Sequence, residues 1–248
     1  MSMRYNILGV VIDPLTKKET LEKVDEYYIQ QKKSLHLMGV NADKINLCQT
    51  DSELMRIVNE CEIINADGAS VVLAGKYLGL DIPERVAGID LMQDLLKLSE
   101  IKQYPVYFLG AKQEILDKML QNFKTSYPNL IVSGAKNGYF SDNDLPAIME
   151  DIKVASPAIV FVGITSPKKE YIVDNFLKNG LNSVFMGVGG SFDVLSGAIP
   201  RAPLWMQKAN LEWLFRVMNE PKRLFKRYFI GNITFIKSIL CERRSHKL

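Results

Sequence analysis

Histidine and cysteine are scarce in this 248-residue chain, with two and three copies. His36 and His246 alone do not make a zinc cluster, which draws on about four His and Cys ligands. Cys48, Cys61 and Cys241 form no CxxC, and an odd set of this kind points to a reducing compartment without disulfides. Long apolar runs are missing as well. The longest stretches free of Asp, Glu, Lys and Arg are 14 residues, 154–167 and 179–192, and Gly or Pro interrupts both. A membrane-spanning helix needs about 20 apolar residues. The opening MSMRYNILGVVIDP has neither the length nor the cleavage site expected of a signal peptide. HExxH, Walker A, GxSxG and GxGxxG are all absent, so zinc-protease, P-loop, serine-hydrolase and dinucleotide readings lose their usual support.

What is present is a globular composition, 47% hydrophobic and 24% charged. A chain this long buries roughly 70–75% of the surface its unfolded form exposes. The net charge of +3 hides an uneven distribution. Residues 201–248 hold 11 Lys and Arg against 3 Asp and Glu, a net of +8, which leaves −5 on residues 1–200. The basic end also holds Trp205, Trp213, Phe215, Phe225, Tyr228, Phe229 and Phe235. Interleaved basic and aromatic side chains suit an anionic membrane surface or a nucleic acid, and equally a solvated helix whose aromatics pack on the body.

Along the chain, short β-branched runs alternate with helical patterns. Strands are predicted at 5–11, 35–40, 63–66, 106–109, 131–134, 158–162 and 183–186. Helices are predicted at 20–31, 43–59, 69–78, 88–102, 112–126, 144–153, 167–178 and 203–219. Pro221 should end the last of these, with basic helices at 222–229 and 233–240 separated by Gly231. The alternation implies an α/β fold, a mostly parallel sheet with helices on both faces, plus a helical C-terminal appendage. The predicted division is an α/β core at 1–200 and a basic, aromatic-rich appendage at 201–248.

Ligands of open α/β sheets bind beyond the C-terminal strand ends. The residues there are Asn41 in GVNADK, Asp67 in NADG, the run GAK at 110–112, GITSPKKE at 163–170 and GVGGSFD at 187–193. Backbone amides in such loops suit phosphate. Asp67 reads two ways: an ionised proton acceptor, or the N-cap of the helix beginning at Ala69. Asn41 carries the same ambiguity. Lys168 and Lys169 open a helix, where cations oppose the dipole, and their placement is explained if one meets an anion. Asp142-Asn143-Asp144 has the DxD form of a manganese site, but capping and turn chemistry explain it more simply.

These residues resemble the WecG/TagA/CpsF family of bacterial glycosyltransferases. The resemblance runs from about Tyr5 to Phe235. It is carried by GVNADK, NADGASVV, PERVAGIDL, NGYF, TSPKKE, GVGGSFDVLSGAIPRAP and LEWLFRVMNEPKRLFKRY, in that order. The resemblance implies a Rossmann-like core and a metal-independent, inverting transferase with no cofactor. It would move N-acetylmannosamine or its uronic acid from a UDP-sugar donor to an undecaprenyl-diphosphate-linked acceptor sugar. The setting would be cytoplasmic, peripheral on the inner face of the bacterial membrane, in polysaccharide or teichoic acid synthesis. UDP-glucose, UDP-glucuronate or another UDP-hexose is the alternative donor. Nucleic acid is not an expected partner, and a homo-oligomer is compatible with the sequence.

Carried over by motif, the catalytic base falls on Asp67. Asn41 falls on a donor-site asparagine and Arg85 near the substrate. Gly189 and Gly190 would lie along the nucleotide diphosphate. Arg216, Arg223 and Lys226 match appendage cations that reach the site, with Arg227 beside them. Two departures stand out. Some members have a threonine where this chain has Gly39, and the usual glutamine of GSPKQE is Lys169 here. If that position reads the donor sugar, a lysine favours one bearing a carboxylate.

Overall fold

The computed structural model describes residues 4–245, without the side chains of residues 27, 222, 223, 226–228, 244 and 245. The chain opens with a hairpin of β1 (Tyr5–Ile7) and β2 (Val10–Ile12). Helix α1 (Lys17–Lys23) follows and runs on into a π-helical turn at Val24–Ile29. Next come β3 (Leu35–Val40), α2 (Ala42–Cys48), α3 (Ser52–Glu60), β4 (Ile63–Ala66), α4 (Ala69–Leu78) and α5 (Gly88–Lys102). The middle holds β5 (Val106–Gly110), α6 (Gln113–Ser126), β6 (Val132–Lys136), α7 (Leu145–Ala155) and β7 (Ile159–Gly163). The rest is α8 (Lys168–Lys178), β8 (Val184–Gly187), α9 (Ser191–Leu195), α10 (Leu204–Lys208), α11 (Glu212–Asn219) and α12 (Pro221–Ser245).

Six strands form one sheet in the order β4-β3-β8-β7-β5-β6, and every neighbouring pair is parallel. Apart from the half-exposed edge strand β6, the strands are buried on both faces because helices cover both. Leu35, Leu37, Phe108 and Phe161 join one buried cluster with α5 and α6. The alternate residues face the other way. Met38 and Val40 pack with the hairpin, α2, α3, α4 and α12, while Tyr107, Leu109, Val160 and Val162 pack with α7 and α8. The α/β expectation with helices on both faces holds.

Several boundaries differ from the sequence reading, each for a local reason. The strand at 5–11 is a hairpin outside the main sheet, because Leu8 and Gly9 both take positive φ. A two-residue turn of that kind usually advertises itself as Asn-Gly, and Leu8 hides it. The helix at 20–31 starts earlier, at Lys17, where Thr16 and Glu19 form a capping box. The helix at 43–59 is two helices, since Asp51 caps a fresh start at Ser52. The helix at 203–219 is also two, broken where Asn210 turns left-handed. Helix α9 has no counterpart in the sequence reading.

Gly231 does not interrupt the last helix; α12 is continuous through it. A helical glycine costs about 1 kcal/mol relative to alanine. Packing on both sides offsets that cost. Asn46 of α2 donates to the Gly231 carbonyl at 2.8 Å, and Leu224, Phe235 and Ile239 are buried. Glu242 near the end of α12 accepts the amide of Leu8 at 3.0 Å, so the helix also holds the hairpin turn. Phe235→Ala is expected to cost about 3–5 kcal/mol, the usual cost of emptying a buried phenylalanine site. Urea unfolding of the full chain measures it, and an unchanged midpoint would mean that α12 lies outside the cooperative unit.

Candidate active site

With all six strands parallel, their C-terminal ends lie along one edge. The strand order sets the sequence of loops there: Asp67 after β4, Asn41 after β3, Gly189 and Gly190 after β8, and the 163–170 loop after β7. Residues far apart in the chain thus become neighbours by strand pairing.

The β3 and β4 exits are locked together. The amides of Asp67 and Gly68 both donate to the Val40 carbonyl, at 2.9 and 3.2 Å. This leaves no room for a side chain at Gly68 and little at Gly39. A Cβ on Gly68 would stand 2.8 Å from the Asn41 Cβ, and one on Gly39 would stand 3.2 Å from the Asp67 Cβ. Gly39 lets Asp67 lie close against β3.

Asp67 does not cap α4. The N-cap there is Gly68, with no side-chain bond. The Asp67 carboxylate instead accepts the amide of Gly88 at 2.9 Å, at the head of α5, where the helix dipole favours a negative charge. Its second oxygen, Oδ2, has no hydrogen bond among the described residues. Asn41 does act as a cap, accepting the Lys44 amide at 3.0 Å through Oδ1. That leaves its amide nitrogen for a ligand.

Arg85 is committed within the protein. Its Nε donates to the Asp67 carbonyl at 2.8 Å, and its Nη2 to Glu212 of α11 at 2.8 Å. Arg201 approaches the same carboxylate at 3.6 Å and also pairs with Asp90 of α5. Arg216, one turn beyond Glu212, lines a small cavity with Arg201, Glu212 and Phe215. The side chains of Arg223, Lys226 and Arg227 lie outside the described residues.

A second charged cluster is buried behind β3 and β8. Glu170 is fully buried between Lys44 Nζ at 2.7 Å and Lys169 Nζ at 3.0 Å, and accepts the Ser166 hydroxyl at 2.8 Å. Burial pushes a carboxyl up, but the two ammonium groups outweigh it and hold Glu170 far below the usual carboxylate range. Lys169 lies along Gly187, where a Cβ would stand 2.6 Å from its Cε, and it also donates to Ser166. The anion that explains a lysine at this helix start is therefore internal. Lys168 sits over the Phe140 ring, 5.2 Å from its centre. Nearby His36 is buried, and desolvation with the Lys44 charge pushes its pKa down to about 3.

Gly189 takes a φ of +51°, and a Cβ there would meet nothing within 4 Å, so the backbone of this loop is open. The DxD run caps its own turn: Asp144 accepts from the Ser141 amide and hydroxyl, both at 2.8 Å. Glu212, Glu170, Lys44 and Arg201 all lie in motifs quoted above, but sequence reasoning did not single them out. Their partners are as far as 127 residues away.

An open-edged α/β sheet with a carboxylate, an asparagine and glycine-rich amides at its strand ends suits a glycosyltransferase. The chain matches the Glycosyl transferase WecG/TagA/CpsF family over residues 5–248 and belongs to it. A protein of Staphylococcus aureus (strain MW2) is 31% identical over 222 residues, covering 89% of this chain and 87% of its own. One of Bacillus subtilis (strain 168) is 30% identical over 203 residues, covering 82% and 78%. Both are called N-acetylglucosaminyldiphosphoundecaprenol N-acetyl-beta-D-mannosaminyltransferase.

Gly68→Ala forces the two strand exits apart. It is expected to cost about 1–3 kcal/mol, as overpacking does, and to lower transferase activity. Thermal melting and initial rates check it; wild-type values in both would contradict the locked geometry. His36 gives a pH dependence. Its folded pKa lies below the ordinary 6.5, so below about pH 6.5 the unfolded chain takes up a proton that the folded chain refuses. Stability should fall with pH by about 1.4 kcal/mol per unit for this proton. His36→Asn should flatten unfolding free energies measured between about pH 6.5 and pH 4.5, and an unchanged slope would contradict a neutral buried imidazole.

Proposed function

We propose that the chain transfers a sugar of the N-acetylmannosamine type, or its uronic acid, from a UDP-linked donor to a polyprenyl-diphosphate-linked acceptor sugar, with inversion. The names of the relatives support the substrates. The observation that carries the mechanism is the Asp67 carboxylate. It is turned away from α4, held through one oxygen by Gly88, open at the other, and set beside Asn41.

In this reading the acceptor hydroxyl attacks the anomeric carbon from the face opposite UDP. Asp67 takes the hydroxyl proton as the bond forms, and the UDP leaves with the bonding pair. Asn41 holds the donor, and the amides of Gly189 and Gly190 lie along its diphosphate. The growing phosphate charge is met by cations, Arg216 with Arg223, Lys226 and Arg227, because guanidinium grips phosphate bidentately. Arg85 acts on this site through Asp67 and Glu212, and Lys169 borders the donor loop at Gly187. No metal is required. Asp144, the best candidate ligand by motif, is already used by Ser141.

The division at residue 200 belongs to the same proposal. The appendage, 201–248, covers the site and lies on the cytoplasmic face of an anionic membrane. Support comes from its +8 charge and from the two faces of α12. Leu224, Phe235 and Ile239 face the body, while Phe225, Phe229, Ile233, Ile236 and Leu240 are exposed. Leu204 and Trp205 of α10 are exposed as well. Among the described residues no helix is long and apolar enough to cross a membrane. An amphipathic helix lies in the interface, and each Lys or Arg near anionic lipid adds about 1 kcal/mol.

The test is acceptor-dependent UDP release from a panel of UDP-N-acetylmannosamine, its uronic acid, UDP-glucose and UDP-glucuronate. A polyprenyl-diphosphate-N-acetylglucosamine serves as acceptor, in detergent with EDTA. Release from one donor, lowered about 10²–10⁴-fold by Asp67→Asn, is expected. Undiminished release from the variant would remove Asp67 as the base. Release abolished by EDTA would overturn the metal-free mechanism.

A further inference from the structure

We propose that Glu212 is a positioning residue for the transfer, fastening the appendage to both sides of Asp67. The inference rests on Asp67 as the base. Glu212 is 6% exposed and comes from α11, outside the sheet. Two arms leave its carboxylate. Through Oε2 it holds Arg85, whose Nε donates to the Asp67 backbone carbonyl at 2.8 Å. Through Oε1 it faces Arg201 at 3.6 Å, and Arg201 pairs with Asp90 in the first turn of α5. The head of α5 is where the Gly88 amide binds the Asp67 side chain at 2.9 Å. The arms therefore meet again on one residue, at its main chain and at its carboxylate, and Glu212 closes the ring.

Stability alone does not account for this carboxylate. Burying an ion pair costs several kcal/mol of desolvation for each ion, and apolar side chains of the same volume often serve as well. What an apolar contact does not supply is direction. Glu212 fixes the orientation of the Arg85 guanidinium, stands within ion-pair reach of Arg201, and so sets the register of α11 against the end of β4. Arg216 lies four residues on, on the same face of α11, and borders the same cavity. One carboxylate thus sets both the base and a cation destined for phosphate. An appendage displaced from the body would loosen both together.

The test uses the full-length protein with the donor and acceptor above. Glu212→Gln keeps the shape and removes the charge. Its kcat is expected to fall at least 10-fold with the donor KM within about 3-fold, because Glu212 touches no substrate. Glu212→Asp, which keeps the charge at shorter reach, should recover part of kcat, and it stands in if the glutamine variant does not fold. The decisive arm is a double-mutant cycle with Arg85→Gln. That variant already breaks one of the two arms, so adding Glu212→Gln should cost less than it does in the wild type, with only the Arg201 arm left to lose, and losses that multiply in full would overturn the proposal. A wild-type kcat in Glu212→Gln would overturn it too. Asp67→Asn runs in parallel: full activity there defeats the base assignment, whereas the Arg85 cycle judges the fastening by itself.

Discussion

The carbonyl of Val40 accepts the amides of both Asp67 and Gly68, and the site is arranged around that junction. Parallel pairing of β3 and β4 alone would leave two loops free to diverge. The paired hydrogen bonds fold the second loop back over the first, and glycines at 39 and 68 permit the approach. Once the loop is folded back, Gly68 rather than Asp67 begins α4. The carboxylate is then released to the head of α5. A backbone contact thereby turns a helix-capping residue type into a candidate proton acceptor.

The same construction appears twice on this edge. Glu170 lies between Lys44 and Lys169, and Glu212 between Arg85 and Arg201. Each is a buried helical carboxylate with two cations beside it. Cations fixed before a ligand arrives lose less side-chain freedom when they meet an anion. They also need no reorganisation as charge develops on a leaving group. Under the proposed metal-free transfer, such preorganisation takes over part of a metal ion's electrostatic role.

The sheet was legible in the sequence because strands buried on both faces stand out as continuous apolar runs. Five of the six were bounded within about a residue. Features set by single backbone conformations were hidden. Leu8 and Asn210 take positive φ where the residue type gives little or no warning. The position of Asp67 was legible, but its separation from α4 was not, since an Asp before a helix reads as a cap until its partner, Gly88, is known. Charged partners were the least legible. Glu212 meets Arg85 across 127 residues, and Lys44 lies as far from Glu170 in sequence as 126 positions. Lys169 shows how a neighbour in sequence is overlooked. A lysine that suggested an external carboxylate has Glu170 beside it.

The appendage follows the same physics at larger scale. Its composition is basic and aromatic, and α12 is tied to the body along its length. Asn46 holds its middle, Phe235 and Ile239 enter the core, and Glu242 holds the hairpin turn. Its exposed stripe of Phe225, Phe229, Ile233, Ile236 and Leu240 points away from those contacts. Under the proposed membrane reading, lipid therefore meets the free face and leaves the seated face undisturbed. Docking on a bilayer then has no need to build the site from a disordered segment. It needs only to orient an already closed edge, with Glu212 in place, toward an acceptor whose diphosphate sits at the headgroup level.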